Sequence, residues 1–374
     1  MTFGVGVIGA TGFIGTPYRA EIRECSETAR IVALCARRRD RLDAAAAEDG
    51  CDFVTADWRE VVEHPDVNLV LVLTPDALHL EPVLAAAAAG KHVFCEKPVG
   101  ANVEEAYAMW SAVRDAGVAH YVPFWTRYVP SFIRARELVA DGVLGEIRGI
   151  FYRWHNPRPE AIPHTWRDDA ELSSAGSIAD VGSHAYDAVC WILGCQARRV
   201  LAHADVISPP KPDLGAIDLG EAIDWGKRQQ VEDAAQRKPG TAFDYATIAW
   251  EFSNDAIGAI ILSHASTLRK GLSPELEIHG TLASLAIDRI NNTVTVYRSD
   301  DTDGEVEQIE DSGFGNRAAQ HVFASFQEQL AGTRGEHPGI DDGWRVQIFT
   351  DAAALSARRG GWVELAELDA EAGT

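Results

Sequence analysis

Residues 5–15 read Val5-Gly6-Val7-Ile8-Gly9-Ala10-Thr11-Gly12-Phe13-Ile14-Gly15, a short apolar run followed by three glycines at three-residue spacing. The run predicts a buried strand, and the glycines predict a tight turn into a helix over Pro17–Cys25. Glycine lets the backbone come close to a pyrophosphate, and the helix behind it offers free N–H groups and a positive dipole end. A structural glycine turn looks the same in isolation. The position directly after a strand and before a helix makes Gly9, Ala10, Thr11, Gly12, Phe13 and Ile14 a candidate dinucleotide cradle.

Further apolar runs follow at Ile31–Cys35, Asn68–Leu73, Lys91–Cys95 and Ala119–Val122. An alanine-rich helix is predicted after the second run and another over His79–Gly90, ended by its glycine. Apolar runs separated by helices predict a parallel sheet covered on both faces, a Rossmann domain over 1–122. The end of the second run bears on the choice of cofactor. An acid there would bind the ribose 2′-hydroxyl of NAD, but the sequence has Ala36-Arg37-Arg38-Arg39. Guanidinium matches phosphate, so Arg37 and Arg38 favour NADP. Solvated surface arginines are the alternative, and Asp40 leaves NAD open.

Residues 123–374 differ in texture. Helices are predicted at Pro130–Ala140, Gly182–Leu193, Ala318–Leu330 and Trp344–Ala357. Strands are predicted at Gly145–His155, Val200–Val206, Ala246–Phe252, Ala256–His264, Glu275–His279, Ser284–Ile287, Thr293–Tyr297 and Trp362–Leu365. Successive strands without intervening helices predict a second α/β domain with a large, mostly antiparallel open sheet. Ser208–Gly240 is polar, rich in Pro and Gly and poorly periodic, and reads as a loop or insertion at the edge of that sheet.

Composition bounds the function. The 374 residues carry a net charge of −22, with 46% apolar and 24% charged residues. That balance suits a large soluble core and argues against nucleic acid or an anionic membrane as partner. None of the six cysteines forms a CxxC pair or a zinc-ligand spacing, so no metal is expected and a reducing cytoplasm fits. Met1–Gly4 leads straight into a strand, which leaves no room for a signal peptide.

Two clusters carry candidate chemistry. Cys95-Glu96-Lys97-Pro98 follows a strand, and a lysine at the carboxyl end of a Rossmann strand faces the ligand crevice. A surface ion pair with Glu96 is the plainer reading of Lys97. In Gly176-Ser177-Ile178-Ala179-Asp180-Val181-Gly182-Ser183-His184-Ala185-Tyr186-Asp187, a helix starting near Asp180 puts Asp180 and His184 on one face. A carboxylate beside a histidine raises its basicity and holds its ring. A helix cap by Asp180 with a satisfied histidine behind it is the alternative.

The glycine turn also resembles the opening of the extended short-chain dehydrogenases. Those need a Tyr-x-x-x-Lys pair, and none of the six lysines has a tyrosine four residues before it. CEKP together with G-S-x-x-D-x-G-S-H-x-x-D resembles instead the glucose-fructose oxidoreductase/inositol dehydrogenase/rhizopine catabolism family, Gfo/Idh/MocA. Glu137–Ile147, Thr74–His79 and Trp362–Leu365 are similar to it too. The resemblance implies Lys97, Asp180 and His184 as catalytic residues, with Arg127 and His155 joining them on substrate hydroxyls beside tryptophans 125, 154 and 166. It also implies cofactor contacts from Thr74, Pro75, His79, Glu96 and Lys97. Two departures stand out: the loop is GxxGxxG rather than GxGxxG, and Asp76 takes the place of a common asparagine. The implied activity is hydride transfer between NAD(P) and a secondary hydroxyl or ketone of a sugar, sugar derivative or cyclitol, in a homodimer or homotetramer. A cofactor-retaining sugar-modifying enzyme and a non-catalytic NADP sensor are the rivals. The triad of Lys97, Asp180 and His184 speaks against the sensor.

Overall fold

The computed structural model describes residues 2–228, 236–311, 313–333 and 335–372. The first apolar run is β1 (Phe3–Ile8), followed by α1 (Gly15–Arg23), β2 (Ala29–Cys35) and α2 (Arg39–Asp49). Then come β3 (Phe53–Thr55), α3 (Trp58–Glu63), β4 (Leu69–Val72), α4 (Leu80–Ala88), β5 (His92–Cys95), α5 (Val103–Ala116) and β6 (His120–Tyr121). The strands form a six-stranded parallel sheet in the order β3-β2-β1-β4-β5-β6. The strand order reverses between β1 and β4, and ligands bind outside the strand carboxyl ends at such a switch point. All six residues of β1 and all four of β4 are buried, as strands covered on both faces must be.

The second part holds α6 (Pro130–Ala140), β7 (Ile147–His155), α7 (Ser177–Leu193), β8 (Ala197–Asp205), β9 (Lys211–Pro212), α8 (Leu219–Arg228) and β10 (Arg237–Lys238). It continues with β11 (Tyr245–Phe252), β12 (Ile257–Ser263), β13 (Leu276–Gly280), β14 (Ser284–Asp288), β15 (Thr293–Tyr297) and β16 (Glu305–Gln308). The chain ends with α9 (Ala324–Leu330), α10 (Ile340–Arg359), β17 (Val363–Glu364) and α11 (Leu365–Ala372). Nine strands form an open sheet in the order β16-β15-β14-β13-β7-β12-β11-β8-β17. It is antiparallel except where β12 runs parallel to β7. The strict alternation of burial along β11 gives the sheet one core face. α6 and α7 pack against this sheet. A Cβ on Gly182 would lie 2.8 Å from Leu262 Cδ1, so this glycine lets α7 approach β12 closely.

Backbone contacts divide the chain into two units, 1–123 with 216–222 and 315–345, and 124–215 with 223–314 and 346–374. Two stretches expected in the second domain therefore group with the first. Phe323 stacks on Phe3 at 5.6 Å and Phe326 lies 5.9 Å from it, which buries β1's first side chain under a segment from the far end of the chain. The stretch 208–240 is also more ordered than a loop. It contains α8 and a small antiparallel pair, β9 with β10, although its residues 229–235 lie outside the described ones.

Candidate active site

In the first unit the glycine turn is built as a cradle. Gly9 has φ +88°, and a Cβ there would lie 2.6 Å from the Leu73 carbonyl oxygen. A Cβ on Gly15 would lie 2.3 Å from the Gly9 oxygen. Only glycine fits either place. The Gly9 and Ala10 N–H groups donate to the Cys35 oxygen at 3.0 and 3.1 Å, tying the turn to the end of β2. The buried Arg19 guanidinium donates to the Ala10 oxygen at 3.3 Å and pairs with Asp49 at 2.5 Å. No side chain caps α1 at Ile14; the Thr16 N–H donates to the Gly12 oxygen at 3.2 Å and Pro17 has none, so a phosphate would meet the N–H groups of the glycine turn ahead of the helix and its positive dipole end. These residues fit a dinucleotide.

The ribose end departs from expectation. Arg37 is exposed and has no carboxylate partner among the described residues. Arg38, by contrast, places Nη1 3.0 Å from both carboxylate oxygens of Glu221. The expected NADP preference rested on both arginines, and one of them is engaged elsewhere.

His79 joins two loops of the same unit. Its Nε2 lies 2.8 Å from the Thr74 oxygen, and its Nδ1 lies 3.1 and 3.2 Å from the Pro98 and Val99 oxygens. Burial holds its pKa below the usual histidine value, which leaves the ring neutral. The buried ring lies between the turn carrying Thr74 and Pro75 and the one carrying Lys97, and as a neutral ring it donates to one of them. Lys97 is half-buried directly after β5, and its N–H donates to the buried Glu96 carboxylate at 3.1 Å.

In the second unit the helix begins three residues before Asp180. Gly176 precedes it at φ +56°, where a Cβ would lie 2.1 Å from the Phe243 oxygen, and the Ser177 N–H donates to that oxygen at 2.6 Å. Asp180 thus stands inside α7 rather than at its cap, and Asp180, His184 and Asp187 recur at i, i+4 and i+7. The half-buried His184 ring stacks 5.9 Å from Trp154 and meets Phe124 edge-on at 6.2 Å. Asp187 binds Arg127 through both oxygens, at 2.8 and 2.5 Å. Arg127 therefore grips the same helix face as His184, a positioning contact that the sequence did not suggest.

Asp180 is held by residues that sequence reasoning missed. Its Oδ2 lies 3.4 Å from Arg158 Nη2, 3.7 Å from Arg167 Nε and 3.2 Å from His264 Nε2. Burial, then the Arg158 charge, pushes the His264 pKa down to about 4. The parallel pairing of β7 with β12 sets Ser263 beside His155, so two neighbouring strands bring His155 and His264 to the same end. The signal was two strands each ending in histidine, but only parallel pairing makes those ends meet. His155 is half-buried and desolvation lowers its pKa.

A parallel sheet with a glycine cradle and a lysine at a strand end, and a second unit with aspartate and histidine on one face of a helix, define a two-unit nicotinamide-dependent oxidoreductase. The chain belongs to the GFO/IDH/MocA oxidoreductase family. The family's N-terminal part, described as an oxidoreductase family with an NAD-binding Rossmann fold, matches residues 3–124, and its C-terminal domain matches residues 132–286. The chain is 28% identical over 349 residues to levoglucosan dehydrogenase of Pseudarthrobacter phenanthrenivorans, covering 87% of each chain. It is 27% identical over 299 residues to myo-inositol 2-dehydrogenase of Thermotoga maritima, covering 80% of this chain and 79% of that one. An oxidoreductase domain protein from Kribbella flavida superposes with TM-score 0.82 at 28% identity, over 97% of this chain and 99% of that one. A levoglucosan dehydrogenase in complex with NADH and levoglucosan shares the fold with TM-score 0.81 at 24% identity, over 98% of this chain and 100% of that one.

Proposed function

We propose that this oxidoreductase interconverts a secondary hydroxyl and the ketone of a sugar, sugar derivative or cyclitol. The observation that carries this reading is the α7 face, where His184 stands one turn from an Asp180 fixed by two arginines and a histidine. Relatives named for levoglucosan and myo-inositol support the substrate class.

When bound, the nicotinamide supplies the hydride acceptor or donor. His184 takes the hydroxyl proton during oxidation and returns it during reduction. Lys97 sets an ammonium charge against the developing alkoxide and lowers its cost. Asp180, whose Oδ2 faces Arg158, Arg167 and His264, orients His184 or a substrate hydroxyl. His155, Arg127 and the neighbouring tryptophans give the polyol its donors, acceptors and apolar faces. Thr74, Pro75 and Glu96 line the nucleotide side, with the N–H groups of the glycine turn ahead of α1 on the pyrophosphate. The nucleotide is NAD(H) or NADP(H), and Arg37 is the guanidinium near the ribose end that no carboxylate holds among the described residues.

A panel of sugars and cyclitols, levoglucosan and the inositols among them, assayed with NAD(H) and NADP(H) by nicotinamide absorbance, tests the reading. Turnover of at least one secondary alcohol is expected. Binding of nucleotide without turnover of any of them would return the protein to the class of dinucleotide sensors.

A further inference from the structure

β2 ends at Cys35 and is followed by Ala36 where an acid would face the ribose, and Arg37, Arg38 and Arg41 cluster in sequence around the start of α2. Taken with their sequence neighbours alone, they form a phosphate site. The fold brings another stretch of chain to them. Asp218 and Glu221 open α8 as a reciprocal cap: Asp218 Oδ1 accepts the Glu221 N–H at 3.1 Å, and Glu221 Oε2 accepts the Asp218 N–H at 3.2 Å. The same two carboxylates face the arginines. Arg38 reaches both oxygens of Glu221 at 3.0 Å, and Arg41 donates to Asp218 Oδ2 at 2.5 Å and to Glu221 Oε1. Between the two acids, a Cβ on Gly220 would lie 3.3 Å from Phe13 Cδ2, so the capping turn rests against the glycine loop. Every one of these residues belongs to the first unit.

We propose that Asp218 and Glu221 supply, from the start of α8, the acid that β2 lacks, and that they make the nucleotide site select NAD(H) over NADP(H). The inference rests on the dinucleotide reading of the cradle.

Two effects act in the same direction. Arg38 and Arg41 already hold carboxylates, and a 2′-phosphate must displace them to be bound. The phosphate would also arrive as a dianion beside two carboxylates held in place by their own helix cap, and like charges there repel it. Arg38 and Arg41 are paired with Asp40, Asp218 and Glu221, which leaves Arg37 alone of the three to attract it. A 2′-hydroxyl is neutral, can donate to a carboxylate, and meets neither obstacle.

Calorimetric titration of NADH and NADPH into the full-length protein and into the D218N/E221Q variant tests this. Asparagine at the cap and glutamine three residues later retain the capping geometry, so α8 is expected to form in the variant. The wild-type protein is expected to bind NADH at least about tenfold more tightly than NADPH, a ratio that one charge-assisted contact can set. In the variant the ratio is expected to narrow by about tenfold or more, mainly through tighter NADPH binding. E221Q alone is expected to give part of that shift, which guards against a double variant that folds poorly. Wild-type affinity for NADPH equal to or above that for NADH, or a ratio untouched by the substitutions, would overturn the assignment. Binding of neither nucleotide would bring down the cofactor reading itself, and this inference with it.

Discussion

Lys97, His184 and His264 respond differently to substitution because each acts through a different property. Lys97 contributes a charge to a developing alkoxide, so Lys97→Ala is expected to lower turnover by roughly 10²-fold or more, the scale for a positioned electrostatic or acid–base group. His184→Ala is expected to lose a similar factor, part of it returning at high pH where hydroxide replaces the base. Steady-state kinetics on the alcohol identified by the panel checks both, and wild-type turnover in either variant would remove that residue from the mechanism. His264 acts through protonation. Its pKa in the fold is about 4, against about 6.5 in an unfolded chain. Between those values the unfolded chain binds the additional proton, so stability rises with pH across that window and falls as pH drops through it. The loss below pH 4 is on the order of 3 kcal/mol for this residue. His264→Asn is expected to flatten that part of the stability curve, measured by denaturant melts at stepped pH. An unchanged slope would place the titration elsewhere.

Helix α7 shows what an element needs in order to carry a site. Its start depends on Gly176, whose positive φ and near-contact with the Phe243 oxygen leave no space for a side chain. Its end has Gly194 at φ +67°, with nothing within 4 Å of where a Cβ would stand. Gly194→Ala therefore costs only the left-handed backbone preference, about 1 kcal/mol, whereas Gly176→Ala adds a backbone clash and is expected to cost about 2 kcal/mol or more. Thermal melting of the two variants checks the order, and equal losses would mean that the turn into α7 can move aside. Elements with local signatures were legible in the sequence. The glycine turn, the strand before Lys97 and the spacing of Asp180 and His184 all announce themselves within a dozen residues. α5 was not predicted, although the Asn102 side chain accepts the Glu105 N–H and Gly117 closes the helix. β3 has three residues, too few for any periodicity to show. Arg158, Arg167 and His264 around Asp180, and Asp218 with Glu221 around Arg38, were not legible because tertiary pairing across many residues brings them together.

At the scale of the whole molecule, the nine-stranded sheet carries exposed apolar side chains. The register puts Phe151, Ile257, Tyr297 and Val306 on the same side, and each is at least 36% exposed. An apolar face of that kind commonly marks an interface, and a homodimer or homotetramer built on it is expected. Light scattering at micromolar concentration should report more than one chain per particle, and Ile257→Lys with Val306→Lys should shift it toward the monomer. A strict monomer in the wild-type protein would refute this. The net charge of −22 makes copies repel one another away from such a face, so association should strengthen with added salt. Among the described residues no helix is long and apolar enough to cross a membrane.

The stacking of Phe323 and Phe326 on Phe3 has a further consequence, one for heredity rather than chemistry. A gene cut near codon 123 would sever β1 from the aromatic cover that the far end of the chain supplies. Such a module cannot be shuffled by simple recombination at one seam. Exchange of its nucleotide unit between relatives is therefore expected to need matched crossovers at several seams.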